Sequence, residues 1–275
     1  MGKFCSIFLT LTLLLTACHR SGDEITVISR EEGSGTRSAF IALTGLEEEG
    51  EDRTYLRSEI SSATAVVLQS VKGDKNAIGY LSVGALREGV KALKIDGAAP
   101  TAENIAQGSY PLARSFYLVS LDTPGAAETE FLRFVLSRQG QAVVAQEGYV
   151  PTEGGDFESK HPQGVLRIAG SGSVAPVMEA LVEAYGKQNP ALRIEIQISD
   201  SSTGLSSLSV GLCDLAMSSR ELTQQELARG LRGEEICRDG IAVIVHGENP
   251  VDGLTMAQLR GIFMGQLRYW QQVAQ

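Results

Sequence analysis

Hydroxyl and glycine residues gather in four short runs of this chain: Ser34-Gly35-Thr36, Ser171-Gly172-Ser173, Ser201 to Gly204, and Ser218-Ser219. Each run follows a stretch of strand character. In open α/β sheets the carboxyl ends of strands line the ligand crevice, so such runs converge on it. Their chemistry is donation. Neutral O–H and backbone N–H groups, with Arg30 as a placed cation, suit a small desolvated oxyanion. The most complete run lies in Ile25 to Phe40, ITVISREEGSGTRSAF. Ile25, Val27 and Ser29 alternate with more polar neighbours, as in a short strand. Gly33 and Gly35 free the backbone of the turn and let its amides come close to a ligand. Ser34 stands as N-cap of a following helix, whose unpaired amides and positive dipole end point at one spot. The Gly-Lys-Ser/Thr ending of a nucleotide P-loop is missing, which argues against a triphosphate. One such run alone is also what ordinary helix capping looks like; four of them with Arg30 form a constellation.

Nucleophilic catalysis would need Ser34 or Ser173 beside a base. No histidine is placed to activate either, Gly-x-Ser-x-Gly is absent, and no lysine has the spacing of a partner. An esterase or phosphatase is therefore the weaker reading. His19, His161 and His246 have no metal-ligand spacing, and neither a metal nor a cofactor is expected.

The elements that must position these runs alternate between helix and strand. Thr64 to Val71 reads as a helix, Ala77 to Leu81 and Val90 to Ile95 as strands. Pro100-Thr101 opens a short helix that Gly108 stops. Two helices follow, Ala126 to Ser137 and Gln139 to Glu147, with Gly148 as the C-terminal cap. Thr152 to Gly164 is polar and without periodicity, a linker. A second strand-turn-helix unit then opens at Val165, its helix carrying Leu181, Val182 and Tyr185 on one face until Asn189-Pro190 ends it. Leu192, Ile194, Ile196 and Ile198 alternate strictly with polar residues, the clearest strand of the chain. Asp214 to Met217 and Ile241 to Val245 are further strands, and Thr223 and Thr255 open helices with capping-box form. The pattern predicts an α/β protein with open sheets.

The chain has 275 residues, 43% hydrophobic and 21% charged, as in one large or two modest domains. Its 33 acidic against 24 basic residues give a formal charge of −9, with no basic stripe for nucleic acid. An acidic protein that binds an anion must use local dipoles and placed cations instead of bulk field. Residues 1–17 read as an address: Lys3 precedes an apolar run, Phe4 to Leu15, too short for a comfortable membrane span. Leu15-Thr16-Ala17-Cys18 resembles the lipobox of bacterial lipoproteins. That implies lipidation of Cys18, a mature chain beginning there, a tether over 18–23 and an extracytoplasmic, membrane-anchored location. An ordinary secretory signal with a chance cysteine is the alternative. In that compartment Cys213 and Cys237 either form a disulfide or remain two buried thiols.

Together these residues resemble a family, the phosphate-binding proteins of Pst-type ABC transporters, over nearly all of 24–275. ITVISREEGSGTRSAF is similar to its Arg-x-Asp-Gly-Ser-Gly-Thr stretch. Ala77-Ile-Gly-Tyr80, Ile95-Asp-Gly97, Tyr110-Pro-Leu-Ala-Arg114 and Gly140 to Tyr149 resemble its later landmarks. GSGSVAPVMEAL, SDSSTG, DLAMSSREL and DGIAVIVHGENPVDGLTMAQLRGIFMGQLRYW resemble its opening half. The resemblance implies a two-lobed periplasmic-binding-protein-like (type II) fold, a monomer that binds inorganic phosphate and delivers it to the permease subunits of an ABC transporter. It implies anion contacts from Arg30, Glu32, Ser34, Gly35, Thr36, Gly172, Ser173, Ser201 and Ser219. Glu32 stands where Asp is common, and Gly172 and Ser219 where some members have Thr and Asp. A carboxylate repels a fully ionised oxyanion but accepts a hydrogen bond from a protonated one, so Glu32 is expected to favour phosphate over sulfate. A solvated charge beside Glu31 is its plainer role. Arg220 either faces the ligand or, as favoured here, forms an ion pair that structures the cleft. A surface adhesin or sensor built on the same fold, and a binder of another tetrahedral oxyanion such as sulfate, are the competing functions.

The order of the halves is inverted relative to that family. A circular permutation accounts for this if the linker 152–164 joins the former ends. The expectation is one lobe over 24–108, the other over 109–275, one covalent crossing near Gly108 to Arg114, and new ends near the hinge. A fragment of a tandem or mis-assembled gene is the rival explanation, and it would leave Trp270 to Gln275 as a ragged end.

Overall fold

A sixteen-residue strand, Leu231–His246, runs the length of the molecule. Its second half, Ile241 to Val245, is apolar and fully buried, as in a strand covered on both faces. Its first half alternates buried Leu231, Ile236 and Asp239 with exposed Arg232, Glu234 and Arg238. A register shift between Glu235 and Cys237 bends the strand between these halves. The computed structural model describes residues 24–273. The leader 1–17, Cys18 and the tether 18–23 lie outside the described residues.

In chain order the principal elements are β1 (Thr26–Arg30), α1 (Gly35–Thr44), β2 (Glu59–Ser61), α2 (Thr64–Gly73) and β3 (Ala77–Ser82). Next come β4 (Ala113–Leu121), α3 (Ala126–Val135), α4 (Arg138–Gln146), β5 (Gly164–Ser171) and α5 (Ala175–Gln188). The last are β6 (Leu192–Ser199), α6 (Ser201–Ser209), β7 (Leu215–Ser218), β8 (Leu231–His246) and α7 (Met256–Phe263). The strands form one sheet in the order β6-β5-β7-β4-β8-β3-β1-β2. β5 lies parallel between β6 and β7, and β1 lies parallel between β3 and β2. The central strands β4 and β8 are antiparallel to their neighbours. The expected α/β fold with open sheets is what forms. Thr223 and Thr255 each make their predicted capping box.

Two lobes hang on the central strands, and their boundaries differ from the expected contiguous pair 24–108 and 109–275. Ile25, Phe40, Tyr80 and Leu112 share one core with Val243, Leu259, Phe263 and Trp270. Behind the sheet, Ile28, Val67 and Val71 pack with Ala242 and Ile244. The first lobe therefore takes the chain up to Leu112 and again from Ile241 onward. The second is the continuous stretch between, with cores around Phe116, Phe134, Ile168, Tyr185 and Ile236, and around Val119, Leu205 and Leu231. The chain crosses twice, at Leu112–Ala113 and at Gly240–Ile241, where the Ile241 amide donates to the Leu112 carbonyl at 2.8 Å. A β-strand read only over Ile241 to Val245 hid the second crossing.

The described ends also depart from expectation. Glu24 bridges to Tyr269, the Ile25 amide donates to the Arg268 carbonyl, and Trp270 Nε1 donates to the Asn76 carbonyl. These contacts lie at the amino ends of β1 and β3, opposite the cleft. Trp270 is buried in the first core, so the last described turn is docked. Asp23 and Gln275 lie outside the described residues. Cys213 and Cys237 are two free, buried thiols. The stretch 152–164 forms no helix or strand before Gly164, yet it is pinned. Gln141 Oε1 accepts from the Thr152 amide, Glu130 accepts from Ser159 Oγ and the Lys160 amide, and Phe157 packs on Phe134 and Tyr185.

Candidate anion-binding site

β1 delivers Arg30 to the cleft. Its last turn is held from below by Tyr80, whose hydroxyl accepts from the Arg30 amide at 3.2 Å and bonds Ser29 Oγ at 2.9 Å. Tyr80 in turn stacks on Phe40 of α1 with ring centroids 4.0 Å apart. Burial raises the Tyr80 phenol above its ordinary range, so it remains protonated. Beyond Arg30 the chain turns at Gly33, whose φ of 89° a side chain would oppose. Ser34 then caps α1, its hydroxyl accepting from the Arg37 amide. Gly35 and Thr36 contribute the first amides of the helix, which have no intrahelical partner.

Arg30 is buried, and its guanidinium is committed on three sides. Nε and Nη2 each donate to Glu31 at 2.7 Å, and Nη1 donates to Thr64 Oγ1 at 3.1 Å. Thr64 opens α2, so a second helix N-terminus joins the site. Sequence reasoning missed Thr64 because it lies 34 residues from Arg30 and has no motif of its own.

The second lobe meets this turn directly. Thr36 Oγ1 lies 2.7 Å from Ser173 Oγ, and Thr64 Oγ1 lies 3.4 Å from the same atom. Ser171 Oγ donates to Ser219 Oγ at 2.9 Å, while Ser201 Oγ accepts from the Ser219 amide and lies 3.3 Å from Ser219 Oγ. Gly35 faces this pair so closely that a Cβ there would come within 2.5 Å of both Ser201 Oγ and Ser219 Oγ. Close approach, not backbone freedom, is what this glycine supplies. Thr36, Ser173, Ser201 and Ser219 are all buried. The first-lobe turn and the second-lobe turns thus face each other across one intramolecular cleft. Each hydroxyl holds one proton it can turn toward an inserted acceptor, so the set can donate collectively to an oxyanion. None of the hydrogen bonds these serines make among the described residues is to a histidine or lysine.

Two expected contacts fall elsewhere. Glu32 is exposed and lines an outer cavity with Asp200, Arg220 and Thr223, outside the hydroxyl cluster. The neighbouring Glu31 is the carboxylate tied to the site, through Arg30. The turn at Gly33 carries Glu32 outward. Gly172 spends its amide on the Ser199 carbonyl within its own lobe, so that donor is not free for an anion. Arg220 forms the expected ion pair, with both terminal nitrogens on Glu226 and Nη2 also 3.2 Å from Ser202 Oγ. The Arg220 hydrogen bonds hold the Glu226 carboxyl well below its usual range, at about 2.

A model of a PBP superfamily domain matches residues 19–139 and 157–275. Phosphate-binding protein PstS 2 of Streptococcus agalactiae is 43% identical over 257 residues, covering 91% of this chain and 88% of the relative. The chain belongs to the PstS family of the PBP superfamily. A solved phosphate-binding protein of a phosphate ABC transporter from Streptococcus pneumoniae is 40% identical to this PstS-family chain, with a TM-score of 0.72 over 91% of this chain and 99% of that one. The two-lobed α/β fold is thereby the family's. PstS of Bacillus subtilis aligns over 134 residues at 35% identity, only 46% of this chain and 42% of its own.

Proposed function

We propose that this chain binds inorganic phosphate outside the cytoplasm and delivers it to the permease subunits of a phosphate ABC transporter. The observation that carries the reading is the contact of Thr36 with Ser173. It closes two lobes of a PstS-family chain over one set of buried hydroxyls beside Arg30. Contacts are assigned to Arg30, Ser34, Gly35, Thr36, Thr64, Ser173, Ser201 and Ser219. Binding and release are the whole of the chemistry; the role is transport and no enzymatic step is assigned. Calorimetry with phosphate and with sulfate tests it. Micromolar or tighter phosphate binding is expected, and heat with neither anion would defeat the assignment.

Sulfate is a second reading, favoured by one observation. Among the described residues the cluster's hydrogen bonds involve hydroxyls, a backbone amide and Arg30, and no carboxylate bonds to its hydroxyls. Without such an acceptor the penalty on a fully ionised anion weakens, so the phosphate-to-sulfate ratio is the number to obtain.

The reading includes a tether: lipidated Cys18 ahead of the family match, which begins at residue 19. Cys18→Ser should release the protein from the membrane fraction, and retention of that variant would point to an uncleaved span. It also includes circular permutation. One alignment spans nearly all of the streptococcal relative, whereas the Bacillus relative matches in one half-length block. Inverted order shared with one branch supports permutation over mis-assembly.

A further inference from the structure

A buried ion pair stands where the chain crosses between lobes, and it is outside the contacts assigned above. Arg114 is the second residue of β4 and lies directly opposite Asp239 of β8. Its Nε and Nη2 donate to Asp239 Oδ2 at 3.2 and 3.1 Å, and its cation sits 4.9 Å over the Phe116 ring. Both side chains are almost wholly removed from solvent, 4% and 0% exposed. A buried pair of this kind contributes little net stability over an apolar replacement, because desolvation offsets the attraction. Something else must use the charge. The remaining guanidinium arm, Nη1, points to the Ser219 carbonyl at 3.4 Å. Ser219 is the residue whose amide and hydroxyl are both wired into the anion cluster through Ser201 and Ser171. Two residues beyond Asp239, β8 enters the first lobe and pairs Ile241 with Ser82. The Ser82 hydroxyl and the Gly240 amide also face the buried Asp239 carboxyl, and with Arg114 they favour its charged form.

We propose that Arg114 is a positioning residue: anchored by Asp239 at the crossing, it holds the Ser219 turn in place for the anion. The inference rests on the phosphate reading only for its binding consequence; the ordering of Ser219 stands apart from any ligand. A merely structural ion pair would be kept by lysine, whose single ammonium can meet Asp239 but cannot also reach the Ser219 carbonyl, as the forked guanidinium does.

Arg114→Lys and Arg114→Met are therefore compared with the parent by amide hydrogen exchange of the free protein and by phosphate calorimetry. For Arg114→Lys the expected result is a folded protein with faster exchange over Ser218 to Arg220, unchanged protection over Ile241 to Val245, and phosphate binding weakened roughly fivefold or more. Arg114→Met should do at least as much; if it fails to fold, the lysine variant carries the test. Parent-like exchange and affinity in Arg114→Lys overturns the proposal. If the parent itself takes no phosphate, the functional reading fails, and the exchange at Ser219 still decides the positioning role.

Discussion

The two lobes bring different chemistry to one cleft. The first carries the charge and the geometry of capture: Arg30 at the end of β1, and the N-termini of α1 and α2. The second carries neutral hydroxyls: Ser201 and Ser219 bond to each other, and Ser171 joins Ser219 to the Ser173 amide. Charge attracts an anion from solvent, while hydroxyls give little until desolvated. The difference teaches an order of events. The order expected from it is that the first lobe holds the anion in an open state and the second adds its donors on closure. Glu31 pairs with Arg30 from the solvent side, so the first lobe keeps its cation without leaving it bare in the interior.

The most severe test of this asymmetry is Arg30→Ala. Losing a charge-assisted contact of about 1.5–3 kcal/mol should weaken phosphate by roughly 10- to 150-fold. An affinity within twofold of the parent would show that capture does not depend on the first lobe's charge. Gly35→Ala attacks closure instead. The added carbon meets Ser201 and Ser219 at 2.5 Å, so the lobes should stop short. Affinity should drop by about tenfold, the worth of one or two neutral hydrogen bonds. Small-angle scattering of the phosphate-loaded variant should match the open parent; a normally compacted variant would remove the closure role from these hydroxyls.

A smaller effect concerns the cleft mouth. Glu226 has a folded pKa lowered to about 2 by Arg220, against about 4.3 for an unfolded glutamate. Its contribution is thus present above roughly pH 4.5 and lost as pH falls toward 2. In Glu226→Gln the acid limb of the stability curve should flatten across that window, with neutral-pH binding nearly intact. Identical acid limbs would mean the pair is broken in solution. The smallest effect is expected at Glu32, the exposed carboxylate. Glu32→Gln should leave the phosphate-to-sulfate ratio within about twofold, as for a solvated surface charge. A ratio that collapses would return Glu32 to the chamber and undo the contrast between a charged first lobe and a neutral second.

Local rules reached far in this chain. Ser34 as N-cap, the capping boxes at Thr223 and Thr255, and the alternating strand Leu192 to Ser199 are each settled within a few residues, by hydrogen bonds or by periodicity. The hydroxyl runs after strands were legible for the same reason, and the sheet brought them together. Helical capping and strand alternation depend on neighbours in sequence, so sequence alone determined them.

The tertiary structure decided what depends on distant partners. Arg114 and Asp239 break the hydropathy pattern of two central strands, and their burial is possible only because the β4–β8 register sets one against the other. For that reason neither β4 nor the first half of β8 read as a strand, and the second crossing was invisible. Thr64 enters the site only through α2 packing beside β1. The choice between Glu31 and Glu32 was likewise not in the motif, since the two carboxylates are chemically alike. The left-handed turn at Gly33 and the enclosure of Arg30 settle it, placing Glu31 on the guanidinium and Glu32 in solvent.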